Sequence, residues 1–128
     1  MDGEHKRWRI FDEIHAERVR QHERFGEEAH PDVDRALTDR VGGCSVMEMA
    51  MEYEIPTAGR ARFNRNHAGK IGQTTWAHVA VEEMAEAVEA AGEAQQGRAP
   101  LATLRAELVQ LAAVAVAWIE AIDRRAGR

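Results

Sequence analysis

The sequence predicts an all-α fold, a bundle of about four to five helices, on three observations. Apolar residues recur every three or four positions in successive segments. Capping residues stand directly ahead of several of those segments. The composition is 45% hydrophobic but only 5% aromatic, with three prolines in 128 residues, which favours Ala-, Leu- and Met-rich helices over aromatic and β-branched strands. A chain of this length is sized for one domain, taken as residues 1–128.

Trp8, Phe11, Ile14 and Val19 fall at helical spacing among Arg, Glu and His, predicting one amphipathic helix that ends near Gly26. The periodicity then stops, with Pro31 early and Gly42-Gly43 late, so residues 27–44 are expected to form a mobile connecting loop. Ser45 and Glu48, ahead of Met47, Met49 and Met51, match a capping box that starts a short helix to about Tyr53. Pro56 is expected in the first turn of the next helix, where its missing N–H would have had no partner. That helix runs to about Ala68 and carries Arg60, Arg62 and Arg65. Gly69, Gly72 and Gln73 break the chain, and Thr74 or Thr75 is suited to cap a long helix reaching about Ala94. Gln95 to Ala99 forms a turn, and Pro100 opens a final helix to about Arg124, with Arg124, Arg125 and Arg128 near its negative end.

The formal charge of −5 and a pI near 5.7 leave no basic footprint with which to displace counterions from nucleic acid, so none is expected as a partner. Cys44 stands alone, which excludes a disulfide framework or a thiolate metal site and suits a half-buried thiol in a reducing cytosol. Met1 to Arg9 are polar rather than a signal core, so the expected location is cytoplasmic. The apolar run Leu108 to Ile119 spans about a dozen residues against the roughly 20 that cross a bilayer, and is expected to be a buried core helix with no membrane role.

The last two helices carry acid on the faces they must bury. With Trp76 set at zero and about 100° per residue, Val79 falls near −60°, Ala80 near +40° and Ala87 near +20°, and Glu83 at roughly −20° lies inside that stripe. Glu86, at about −80°, lies on the edge, and Glu82, at about −120°, is expected to be solvated. On the final helix, Leu108, Leu111, Ala115, Trp118 and Ile122 lie within about 40° of Leu104, Glu107 sits at roughly −60° and Gln110 at about −120°. An ionised carboxylate buried alone costs on the order of several kcal/mol, so such groups pair, shift their pKa or bind a metal. No Lys or Arg lies within one turn of Glu83 on its own helix, and a hard divalent cation with oxygen ligands is the simplest partner.

The run Glu82-Glu83-Met84-Ala85-Glu86, followed after a short turn by Glu107-Leu108-Val109-Gln110, resembles the MazG-like all-alpha nucleoside triphosphate pyrophosphohydrolases. Their signature is Glu-x-x-Glu on one helix and Glu-x-x-Asp on the next. Thr75-Trp76, Tyr53-x-Ile55-Pro56, Arg20-Gln21, Phe25-Gly26 and His30-Pro31 are similar to features of phage and actinobacterial members, so the resemblance covers most of the chain. It implies Glu83, Glu86, Glu107 and Gln110 as metal ligands for Mg²⁺, or Mn²⁺ in its place, with Gln110 departing from the family's Asp. An amide oxygen can still ligate a hard cation but brings no negative charge. The implied reaction is hydrolysis of a nucleoside triphosphate, a deoxynucleotide or non-standard one, to the monophosphate and pyrophosphate. Glu82 or Glu86 would be the general base.

Arg62, Arg65 and Lys70, just before the motif, are candidates for the substrate's phosphates, and the same pattern describes a solvated basic face. Asn64, Asn66 and His67 read as surface residues, and Trp76 as a core anchor rather than a base-stacking platform. A di-iron bundle would need two Glu-x-x-His motifs, and the nearest match is the single Asp12-x-x-His15. The competing function is a non-catalytic helical dimerisation or regulatory module, favoured by Gln110. Val81, Met84 and Val88 form a second apolar strip on the motif helix, and a helix apolar on two sides needs two partners, so a homodimer is expected.

Overall fold

The structure is a computed structural model that describes residues 2–127. Six helices follow one another, with no strand among the described residues: α1 (Asp2–Phe25), α2 (Arg35–Thr38), α3 (Val46–Tyr53), α4 (Ala58–Lys70), α5 (Trp76–Gln95) and α6 (Leu101–Arg125). The all-α expectation holds. Arg128, expected near the last carbonyls of α6, lies outside the described residues, as does Met1. The chain divides into two compact units, Met1–His30 with Ala115–Arg128, and Pro31–Val114.

In the first unit, α1 ends where the sequence places it: Gly26 takes a φ of +68° and its N–H donates to the His22 carbonyl over 2.7 Å. The buried residues are Ile10 and Val116, and Arg7 pairs with Glu120 at 3.3 Å. Trp8, Phe11, Ile14 and Val19 are exposed, with Trp8 and Phe11 packed edge to face on each other at 5.5 Å. Within this unit α1 has only the end of α6 to pack against, so it covers one narrow line of side chains and leaves its apolar face open.

The second unit holds the main core. Val33, Leu37, Cys44, Met49, Ala90, Ala91 and Leu104 form one buried cluster, with Val88 packed against it, and Ala58, Ala61 and Ala85 form a smaller one between α4 and α5. Alanine-rich faces let these helices approach closely. At Gly92 an added Cβ would lie 2.9 Å from the Met49 methyl, so α3 and α5 meet at a point where only hydrogen fits without displacing Met49.

Residues 27–44 depart from the expected loop. Asp34 caps the single turn of α2 by accepting from the Ala36 N–H, Val33, Leu37 and Cys44 are core residues, and Cys44 is fully rather than half buried. Side chains from the α5–α6 junction hold the segment. The Gln95 amide donates to the Val33 carbonyl (3.0 Å) and the Thr38 hydroxyl (2.7 Å), Gln96 Oε1 accepts from the Cys44 N–H (2.7 Å), and Arg98 donates to the carbonyls of Gly42 and Cys44. Such tertiary hydrogen bonds leave no periodic trace in a sequence.

Both predicted caps of α3 and α5 form. Ser45 and Glu48 make a capping box, and Thr75 makes another with His78, whose Nδ1 accepts from the Thr75 N–H. Pro56 lies just ahead of α4 rather than in its first turn, because Thr57 takes the capping role by accepting from the Arg60 N–H. The final helix corrects two expectations. It is 25 residues long and, by length and composition, apolar enough to cross a membrane, because alanines continue the apolar character beyond the uninterrupted run. It is also no buried core helix: only 11% of its most apolar 18-residue window is buried, and Leu101, Leu108, Val109 and Ile122 are exposed.

Candidate metal centre

Glu83 and Glu86 stand one turn apart on α5, and Glu107 faces them from α6, so the chain brings together Glu83 from the apolar stripe and the two edge carboxylates that the resemblance adds to it. One oxygen from each lies within 4.8 Å of the others, and all three residues are half-buried. Glu83 Oε2 and Glu107 Oε2 are shielded from solvent and have no hydrogen-bond partner. A shielded carboxylate oxygen without a donor is costly unless the group takes up a proton or a cation.

The electrostatics say the same. Burial pushes the Glu83 carboxyl above its ordinary value, the charges of Glu86 and Glu82 add to that, and Arg65 opposes it. Burial also pushes Glu107 up, reinforced by the charge of Glu86, by a hydrogen bond shared with Glu86 and by the charge of Glu83. A divalent cation would offset the same crowding of negative charge.

The donor set fits a hard cation. Oxygens bound cis to one another on Mg²⁺ at about 2.1 Å lie roughly 3.0 Å apart, so oxygens within 4.8 Å of one another would close on such an ion by up to about 1.8 Å, within reach of carboxylate side-chain rotation. Gln110, the fourth expected ligand, is exposed one turn further along α6. The cluster itself is made of the three carboxylates Glu83, Glu86 and Glu107.

Glu82 corrects the sequence reading. Instead of being solvated it is buried, at 7% exposure, and lies against α4. Arg65 Nη1 donates to Glu82 Oε2 over 2.9 Å, and Arg62 Nε approaches Glu82 Oε1 at 3.6 Å while its Nη2 donates to Glu86 Oε1 over 3.1 Å. The hydrogen bond and charge of Glu86 raise the Arg62 pKa further. Arg62 and Arg65 are therefore held beside the acids rather than on a free basic face. Lys70 is exposed in the last turn of α4, beyond this network.

The register between the two helices comes from Glu89, whose Oε1 accepts from the Ala58 N–H over 3.0 Å and so caps α4 from α5. Neither Glu89 nor the Glu82–Arg65 pair was readable from spacing, since both join residues 17 or more positions apart. The motif supplied the acids and left their counter-ions unassigned.

A cleft of about 520 Å³ opens elsewhere along the α4–α5 seam, lined by Asn64, His67, Ile71, Gln73, His78 and Val81 among others. None of the trio lines it. His67 stacks on Phe63 at 6.1 Å there, and Trp76 is half-buried at the start of α5. Compared with family models, curated proteins and solved structures, the chain matches none.

Proposed function

We propose that the chain is a Mg²⁺-dependent nucleoside triphosphate pyrophosphohydrolase, with Glu83, Glu86 and Glu107 holding the cation. The observation that carries this reading is the convergence of three carboxylate oxygens within 4.8 Å, two of the residues having a shielded oxygen with no partner. Bound Mg²⁺ would neutralise triphosphate oxygens and lower the pKa of a ligated water. The protein's own groups supply the rest. Arg62, more than half exposed and paired with Glu86, would meet phosphate charge, and Arg65 would hold Glu82. Glu82 is buried and held by Arg65, whereas Glu86 is half-buried and paired with the more exposed Arg62, so of the two carboxylates expected to act as general base, Glu86 takes that role in this reading. The sequence resemblance to MazG-like enzymes directs the choice of triphosphates and of cleavage between the α and β phosphates. Gln110 favours the second reading, a bundle that has kept its shape without turnover, because a neutral amide replaces an acid.

A homodimer fits the same reading. Leu101, Leu108 and Val109 on α6, and Val81 and Met84 on α5, are exposed apolar side chains of the second unit, and a second copy of the chain is the partner we assign to them. The test of function is pyrophosphate release from a panel of ribo- and deoxynucleoside triphosphates with Mg²⁺. Release from at least one, abolished in a folded Glu83→Gln variant, is expected; a folded wild type that releases none from any member removes the enzyme and leaves the module.

A further inference from the structure

Arg62 and Arg65 rise from the same face of α4, yet their partners differ in kind. Arg65 pairs with Glu82, which is not one of the three clustered carboxylates, and its side chain is 39% exposed. Arg62 pairs with Glu86, which is one of them, and is 55% exposed. One guanidinium thus holds an acid outside the cluster, and the other occupies one oxygen of an acid inside it.

We propose that Arg62 is a displaceable counter-ion: it holds Glu86 while the trio is free of divalent cation, yields that oxygen when a cation binds, and then presents its guanidinium to the phosphate oxygens of the incoming ligand. The inference rests on the metal reading above and adds an order of events to it.

Three features carry the exchange. A guanidinium and a divalent cation on one carboxylate repel each other at a few ångströms, and Arg62, whose side chain is more than half exposed, can leave at small cost because its pairing is already screened by solvent. Arg62 already reaches a second carboxylate, Glu82, at 3.6 Å, so it has a resting place on release and keeps its position over the site. Charge also favours a cation: Glu82, Glu83, Glu86 and Glu107 outnumber Arg62 and Arg65 by two, and Glu89 lies close enough to act on Arg62 as well, so a divalent cation reduces the excess of acid. Freed from Glu86, Arg62 supplies the positive charge that an anionic ligand then meets. A planar guanidinium suits phosphate oxygens, whereas the Arg65 fork stays committed to a buried acid.

The experiment follows the arginine Nε–H signals by ¹⁵N–¹H NMR during Mg²⁺ titration of the full chain, with Arg62→Lys and Arg65→Lys used for assignment and calorimetry run in parallel. The Arg62 signal is expected to move with the midpoint of the calorimetric binding curve while Arg65 stays, and Mg²⁺ affinity of Arg62→Gln is expected to rise. Inorganic pyrophosphate should bind Mg²⁺-loaded Arg62→Gln about fivefold more weakly than wild type. Cation binding with an unmoved Arg62 signal, or weaker Mg²⁺ binding in Arg62→Gln, overturns the exchange and leaves the metal site standing. No binding heat and no shift would remove both.

Discussion

Arg65 donates to Glu82 across the α4–α5 seam at 2.9 Å, and Glu82 is the most deeply buried charged residue of the second unit. Breaking such a pair by removing one partner leaves an uncompensated charge. Arg65→Ala is therefore expected to destabilise the fold by about 1–3 kcal/mol, discounted for the partial exposure of the arginine, as read by urea unfolding. Glu82→Gln in the Arg65→Ala background should recover part of that loss. Full additivity of the two changes would mean that the pair contributes nothing beyond its members.

The raised carboxyls set a pH dependence of definite sign. Glu83 and Glu107 bind protons more tightly in the folded chain than in the unfolded one, so stability is fully present below their ordinary value of 4.5 and is lost as pH rises through their folded values. Thermal unfolding of the metal-free protein should show a lower Tm at neutral pH than at mildly acidic pH. Glu107→Gln should flatten that slope. Added Mg²⁺ should raise Tm at neutral pH and do little in acid, where protons occupy the same oxygens.

Gln95 carries a different load. Its side chain donates to the Val33 carbonyl and the Thr38 hydroxyl and accepts from the Val33 N–H at 3.3 Å, pinning α2 to the end of α5. Gln95→Ala is expected to cost about 1–3 kcal/mol and to speed amide hydrogen exchange across residues 33–44 while α4 keeps its protection. Unchanged exchange there would show that burial of Leu37 and Cys44 alone holds the segment.

Association should depend on the exposed side of α6. Val109→Glu places a charge among Leu101, Leu108 and Val109, and is expected to shift the chain from dimer to monomer in sedimentation velocity with helix content unchanged. A wild type that sediments as a monomer at micromolar concentration would leave that face without its second copy.

The sequence was most legible where the structure is local. Ser45 with Glu48, Thr75, and the positive-φ glycine after α1 state their roles within a few residues, and the α5 and α6 projections place Glu83 on an inward face with Glu86 and Glu107 at the edges. It was least legible where a residue's environment depends on a distant element. Glu82 projects away from the apolar stripe and is nonetheless buried, because α4 covers that side of α5 and brings cations with it. Trp8 and Phe11 lie at helical spacing on α1 and are exposed, and spacing alone did not say whether that line would be covered. Periodicity reveals which side of a helix differs from the other. It does not reveal which neighbour arrives.

The hydrogen bond from the Ala58 N–H to Glu89 has a bearing on how the chain guards its own alignment. A helix that slips by one residue moves about 1.5 Å along its axis and turns every side chain by about 100°. Here such a slip of α4 would strand the Ala58 amide, remove Ala61 from its seat against Ala85 and swing both arginines off the acids together. Misalignment is thus penalised at the helix end, in its middle and at its charges at once, so a single carboxylate on α5 works as a vernier for the whole charged cluster.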